Sequence, residues 1–358
     1  MPRSPIARLT DALVPTALLA CLAGLGLPWL SGALAIGAVA AVEPAADAYA
    51  AGAIGSDATR AAASPGQSAW WIDLAAHGQL YFAAGWALLL ILWCLRGGRS
   101  RLRWVPLLVL AGLPWLSAAP ALETARGDPR AMHVLRIAAA NVHVSNHAPD
   151  PLIAWLRQHP VDVLVVPELS PAYAEALASA LPELPHRALH PQAGSAFGMG
   201  LYARLPLREV VAAPDADGIL ALGATLDVGG RPVRVVGVHP MPPVAPRWHA
   251  ARDRLVHALA SGAHPALGPD RDLPRLLAGD LNATPWSSAL HLAGAGGLRR
   301  ATGFRSTWPM QWGGYLGIPI DHVLGSAEWR VMSTRHGPDI GSDHAPIRVE
   351  LQLAPPPP

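Results

Sequence analysis

The sequence predicts an α/β protein, two mixed sheets packed face to face with helices outside, preceded by an N-terminal helical region apolar enough to enter a membrane. From His133 onward, short apolar runs of strand length alternate with amphipathic stretches and turn signals. Strands outnumber helices there and many adjoin by hairpins, the pattern of packed mixed sheets. Ahead of them, no charged residue occurs from Ala12 to Val42, a run longer than the ~20 residues needed to cross a bilayer.

Composition supports the division. The 358 residues have a mean hydropathy of +0.27, with 51% hydrophobic and 15% charged residues, too apolar for an ordinary soluble protein. Part of the chain is therefore expected in lipid. The net charge of +2 comes from arginine alone on the basic side, without a dense basic cluster in the polar half, and gives no positive argument for nucleic acid. Cys21 and Cys94 both lie in apolar runs, which excludes a disulfide framework and a thiolate metal site. Any metal must be held by oxygen or imidazole.

Residues 1–122 read as a membrane anchor with three spans. Arg3 and Arg8 precede the first, Ala12 to Val42; Leu80 to Leu95 and Trp104 to Leu122 follow, with Trp70, Trp71, Trp86, Trp93, Trp104 and Trp115 near their ends as interfacial anchors. Pro106 and Pro114 predict a kink in the third. A cleaved signal peptide ending at Ala48-Tyr49-Ala50 is the competing reading, but the uncharged run exceeds a usual apolar region of roughly 7–15 residues. Arg96, Arg99, Arg101 and Arg103 lie between the second and third spans, whereas Glu43 to Gln67 carries more acid than arginine. The positive-inside rule then puts the N-terminus and the arginine loop in the cytoplasm and everything after Leu122 outside it, as a multi-pass protein of a bacterial inner membrane.

Glu123 to Met132 reads as a linker, 133–354 as the polar domain and 355–358 as a proline tail. Strands are expected at Val134 to Val142, Val161 to Pro167, Phe197 to Ala203, Ile219 to Val228, Pro232 to His239, Leu273 to Leu281, Ile320 to Leu324 and Ala345 to Leu353. Gly229-Gly230 is a hairpin signal between two of them. Helices are expected at Asp150 to His159, with Asn146 or Asp150 as cap and Pro151 in the first turn, at Pro171 to Leu181, Arg247 to Ser261 and Ser287 to Ala293.

The domain is organised around Gly279-Asp280-Leu281-Asn282-Ala283-Thr284-Pro285-Trp286-Ser287. An apolar strand ends at Gly279, where backbone must pass close to something, and Asp280 and Asn282 point the same way if strand geometry persists. An Asx turn is the plainer reading. Asn141, Glu168, His239, Asp321 with His322, and Asp343 with His344 also stand at strand ends. Singly, each has a structural explanation: a core histidine at His239, a helix cap at Glu168, a turn at Asp321. Together they supply carboxylates, amides and imidazoles, without a serine nucleophile in a Gly-x-Ser-x-Gly setting. Oxygen ligands with few nitrogens suit Mg²⁺ or Mn²⁺ and the attack of water on a phosphate ester.

Ala140-Asn141-Val142, Pro167-Glu168, Val238-His239-Pro240, Gly279 to Trp286, Ile320-Asp321-His322-Val323 and Gly341-Ser342-Asp343-His344-Ala345-Pro346 resemble, in order, the signatures of the endonuclease/exonuclease/phosphatase superfamily, the DNase I-like proteins. The resemblance implies a four-layered α/β sandwich with the site at one open edge of both sheets. It implies Glu168 as principal metal carboxylate with Asn141 and Asp343 nearby, and Asp280 as the residue that orients or deprotonates water. It implies Asn282 as a phosphate contact, His344 as a group acting on phosphate oxygens with Asp321 holding its ring, and His239 as a candidate general acid. His322 should point to the opposite face. Pro167 stands where many family nucleases place Gln, and Leu169-Ser170 where a basic residue follows, which weakens a nuclease reading. The expected activity is Mg²⁺-dependent hydrolysis of a phosphate ester, with a lipid head group near the bilayer as one substrate. An extracytoplasmic nuclease, or a non-catalytic tethered binding domain on the same fold, are the alternatives.

Overall fold

The computed structural model describes residues 23–38, 67–95, 113–125 and 133–355. The chain divides into two compact units, Met1–Ala118 with Trp286–His291, and Ala119–Pro285 with Leu292–Pro358.

The first unit is helical at 23–38, in α1 (Gln67–Ala76), in α2 (Gln79–Leu95) and at 113–117. Leu25 and Trp86 bury against Phe82, and polar groups are satisfied inside it: Ser31 Oγ donates to Asp73 at 2.9 Å and Gln79 Nε2 to the Gly24 carbonyl at 2.6 Å. Among the described residues no helix is long and apolar enough to cross a membrane. The 17 residues of α2 cover Leu80 to Leu95 and rise about 25 Å, short of a ~30 Å hydrocarbon core. The rest of the first and third expected spans lies outside the described residues. The third differs from expectation at its end. Helix stops at 117, and the Ala119 and Leu122 amides pair with the carbonyls of Pro285 and Arg300. Pro120 cannot continue a helix, and Leu122 belongs to the hydrophobic core of the second unit.

That core lies between two six-stranded sheets. In chain order the elements are β1 (Val134–Ala139), α3 (Asp150–Gln158), β2 (Val163–Pro167), α4 (Pro171–Ala180), β3 (His186–His190), β4 (Met199–Ala203), β5 (Arg208–Pro214), β6 (Leu220–Val228), β7 (Arg231–Val238), α5 (Pro246–Ser261), β8 (Arg275–Asp280), α6 (Ser288–Ala295), β9 (Arg299–Arg300), β10 (Asp321–Gly325), β11 (Trp329–His336) and β12 (Ile347–Leu353). The sheets run β11-β12-β1-β2-β4-β3 and β5-β6-β7-β8-β10-β9. Both are mixed, with β1 parallel to β2 and β7 parallel to β8 inside otherwise antiparallel ladders.

The two-residue period of a strand explains the layers. Leu135, Ile137, Val163 and Val165 point into the inter-sheet core with Leu222, Val235, Leu276 and Val323 of the other sheet. Ala138, Leu164 and Val166 point the opposite way, onto Leu152, Trp155 and Leu156 of α3 and Tyr173 and Leu177 of α4. On the second sheet α5 contributes a buried stripe, Leu255, Val256 and Leu259. The result is the α/β sandwich of two mixed sheets flanked by helices.

Local differences from expectation have simple causes. The N-cap of α3 is Pro149, without a side-chain bond, because Asn146 spends its Oδ1 on the Ala148 amide and its Nδ2 on the Ile340 carbonyl. Ser170, not Glu168, caps α4 by accepting from Tyr173 N. Glu123 to Ala125, expected as linker, pairs with the edge at Val331.

Candidate active site

Six strand ends meet at one edge of the sandwich. In the first sheet β1 and β2 run parallel and lead out to Asn141 and Glu168, while antiparallel β12 enters beside them just after Asp343 and His344. In the second, parallel β7 and β8 lead out to His239 and Asp280, and antiparallel β10 begins at Asp321. Gly279 lets β7 and β8 approach: its φ is 148°, and a Cβ there would lie 2.0 Å from the Val238 carbonyl oxygen.

The register sets Asp321 directly opposite Asp280. Like charges so placed repel, and His344 relieves it. Its Nδ1 lies 2.8 Å from Asp321 Oδ2 and its Nε2 3.6 Å from Asp280 Oδ2. Burial opposes a charge on His344, but Asp321 and then Asp280 outweigh it and push the imidazole up to about 10. His239 flanks Asp280 from the other side, with Nε2 3.4 Å from Oδ2 and 4.0 Å from Glu168 Oε1. Its Nδ1 donates to the Ala196 carbonyl at 3.1 Å, so Nε2 meets the carboxylates favourably only as a second N–H. Burial again disfavours that charge, yet the Asp280 hydrogen bond and the nearby carboxylates raise His239 above its ordinary value. Asp280 itself is brought down to about 2: burial would raise it, but the charge of His344, the hydrogen bond and charge of His239, and the Asn282 amide prevail.

Glu168 is held by two donors, Asn141 Nδ2 to Oε1 at 3.0 Å and the Val144 amide to Oε2 at 2.9 Å. The Asn141 amide nitrogen also reaches Asp280 Oδ2 at 3.1 Å, while its Oδ1 accepts from the His143 amide. It presents its nitrogen, not its oxygen, to the carboxylates. Strand geometry does not persist through Asn282, whose φ is 48°: its amide donates to Asp280 Oδ1 at 2.8 Å in an Asx turn, and its Nδ2 donates to the Pro240 carbonyl. The turn and the functional reading coexist. Of four described non-glycine residues with positive φ, three (His143, Glu168 and Asn282) belong to this edge, so backbone strain is concentrated there.

Asp343 is the outlying member, exposed, with Oδ2 accepting from Trp308 Nε1 at 2.8 Å. Its neighbour Ser342 ties the loop in, donating to the Asn141 carbonyl and accepting from the His344 amide. His322, next to Asp321, points away as expected and is bonded to Thr302 and the Ala283 carbonyl. Sequence reasoning missed Thr307, whose Oγ1 accepts from the Ile320 and Asp321 amides, and Arg252, whose Nη1 donates to the Asn282 carbonyl at 3.0 Å. Neither carries a local signal; only folding brings a lone Thr and a helical Arg to this edge.

The residues fit a divalent cation. Asp280 and Asp321 set their carboxylates opposite each other in register, and Glu168 is joined to Asp280 through Asn141, a set of hard oxygen donors of the kind a divalent cation takes. Ligand atoms of Asp280, Asp321 and His344 lie within 4.8 Å of one another. Because His344 Nδ1 is engaged with Asp321, oxygens of the carboxylates are the better ligands.

Residues 138–344, more than half of the chain, match the model of the Endonuclease/Exonuclease/phosphatase family. The chain belongs to this family. No curated protein matches it by sequence. Among solved structures, an endonuclease/exonuclease/phosphatase from Beutenbergia cavernae DSM 12333 is similar with a TM-score of 0.52 at 19% identity, covering 62% of this chain and 72% of that one. D. rerio TDP2, solved with a single strand DNA product, gives 0.52 at 16% identity, over 62% and 99%. A family protein from Bacteroides thetaiotaomicron gives 0.50 at 14%, over 62% and 98%. At these identities the likeness is one of fold. Endonuclease/exonuclease/phosphatase enzymes are generally phosphoester hydrolases and typically depend on a divalent metal.

Proposed function

We propose that this chain is a divalent-metal-dependent phosphoesterase that hydrolyses phosphate esters with activated water. The observation that carries the reading is the placement of one buried, ionised carboxylate, Asp280, between two histidines whose protonated forms are favoured. Asp280 accepts a hydrogen bond from water and receives its proton. His344, a cation whose ring Asp321 orients through Nδ1, donates from Nε2 to a phosphate oxygen, and His239 protonates the leaving oxygen. Asn282 offers its second amide N–H to the phosphate. Glu168 and Asp343 hold a Mg²⁺ or Mn²⁺ ion, with Asn141 beside them; when bound, the ion supplies a Lewis acid for the phosphoryl oxygen.

The test is hydrolysis of bis-p-nitrophenyl phosphate, plasmid DNA and sphingomyelin or other phospholipids, each with Mg²⁺ and with chelator. Chelator-sensitive turnover of at least one is expected. Turnover of none with Mg²⁺ or Mn²⁺ sinks the proposal. A nuclease is the second reading, favoured by the likeness to TDP2, which was solved with a single strand DNA product.

We further infer that the N-terminal unit anchors the enzyme to a membrane with the catalytic domain outside the cytoplasm. The charge-free run from Ala12 to Val42 supports this, as do the exposed apolar side chains Leu88, Ile91 and Leu116, at 57%, 43% and 74%. Fusing alkaline phosphatase after Leu122 should give an active reporter and fusion within Arg96 to Arg103 an inactive one; the reverse result inverts the orientation.

A further inference from the structure

Trp308 is 37% exposed, yet its backbone is locked on two sides. It exchanges hydrogen bonds with Ile318, at 3.1 Å from its amide and 2.6 Å to its carbonyl. The residues around it are tied to the catalytic loop, Met310 N to the Asp343 carbonyl at 2.8 Å and Ala345 N to the Thr307 carbonyl at 2.9 Å. Gly317 permits this packing, since a Cβ there would lie 2.4 Å from the Trp308 carbonyl oxygen. An indole needed only for its apolar area would be turned inward. This one instead gives its N–H to the exposed carboxylate of Asp343 at 2.8 Å and sets its ring beside His344, with centroids 6.5 Å apart.

We infer that Trp308 is a positioning residue: its indole N–H fixes Asp343 Oδ2, leaves Oδ1 without a donor among the described residues, and so sets the affinity for the divalent cation. The inference rests on the phosphoesterase reading and adds a residue to it. An exposed aspartate samples several rotamers, and ordering it on binding opposes cation capture. One hydrogen bond from a rigid ring removes that freedom beforehand. The indole N–H donates to the carboxylate without giving up its proton.

The experiment is calorimetric titration of Mn²⁺ into the full chain, with the thermal midpoint of the metal-free protein measured in parallel. Trp308→Phe keeps the ring and removes the N–H; it should weaken Mn²⁺ binding by about 10-fold, the lower end for partners that orient metal ligands, without moving the metal-free midpoint. Asp343→Asn should weaken it at least as much, and the double variant no more than Asp343→Asn alone. Wild-type affinity in Trp308→Phe, or losses that multiply in the double variant, overturns the inference while leaving the phosphoesterase reading intact; an unaffected Asp343→Asn overturns it together with the assignment of Asp343 as a ligand. A wild-type protein that neither binds Mn²⁺ nor hydrolyses bis-p-nitrophenyl phosphate overturns both.

Discussion

Asp280 and Asp321 are register partners across β8 and β10, and His344 bridges them with one nitrogen toward each. Two facing carboxylates on a ladder repel, and the imidazolium between them offsets that repulsion. The same contacts that neutralise the pair orient the ring.

Removing the ring should therefore lower turnover more than substrate affinity. His344→Ala is expected to reduce kcat by about 10²- to 10⁴-fold, the range of a lost acid or base group, with a small change in KM. Asp321→Ala should do less, since the ring loses its orientation but stays. If the two act as a unit, the double variant is scarcely worse than His344→Ala. Steady-state kinetics showing independent, multiplying losses would refute the pairing.

Glu168→Gln tests the ligand role apart from the fold. The amide keeps the shape at a residue whose φ is 59°, and its oxygen can still accept from Asn141 or Val144. It loses the charge that a hard cation needs. Activity at low Mg²⁺ should fall by about 10-fold or more, on the scale of ligand-shell changes, and recover partly at high Mg²⁺. Full activity of the variant at low metal would place the ion elsewhere.

Both sheets were legible in the sequence except at their borders. The strands expected from apolar runs are the inner ones, β1, β2, β4, β6, β7, β8, β10 and β12, each buried on at least one face. The four that were missed, β3, β5, β9 and β11, are the four edges. An edge strand such as β5, with Arg208, Glu209 and Val210 all exposed, has no continuous apolar signature to find. The polar strand-end residues were legible because each interrupts a run that is otherwise apolar. Trp308, Thr307 and Arg252 were not, since they reach the edge through loops and a helix whose local sequence says nothing about that destination.

Arg252 is fully buried on α5, donating through Nε and Nη2 to Asp253 Oδ1 at 2.9 and 2.8 Å and through Nη1 to the Asn282 carbonyl. Arg252→Met retains the stem but leaves the largely buried Asp253 carboxylate with only His249, 3.5 Å away, beside it; removing one partner of a buried pair costs about 3–5 kcal/mol. Urea denaturation should show that loss, and kcat should fall in the residual folded enzyme because the left-handed turn at Asn282 loses its clamp. Stability within about 1 kcal/mol of wild type, the scale of an exposed pair, would mean that Asp253 finds another partner.

His322 gives the domain an acid limit of its own. It is fully buried, and its pKa is lowered to about 3, chiefly by burial and then by the charge of Arg300. As a neutral ring it donates through Nε2 to the Ala283 carbonyl at 2.9 Å and accepts from Thr302 through Nδ1 at 2.6 Å. The folded value lies below the ordinary value of 6.5, so the unfolded chain binds the proton first. Stability from this group is complete above pH 6.5 and declines as pH falls toward the folded value, at about 1.4 kcal/mol per unit through this one residue. His336, lowered to about 4 by burial and Arg305, adds a loss of the same sign. Thermal unfolding from pH 7 to pH 4.5 should show a falling midpoint. His322→Gln, which cannot take up the proton, should be less stable at pH 7 by about 1–3 kcal/mol through its disturbed hydrogen bonds, yet show a shallower fall. A variant whose midpoint keeps the wild-type slope would mean that other groups set the acid limit.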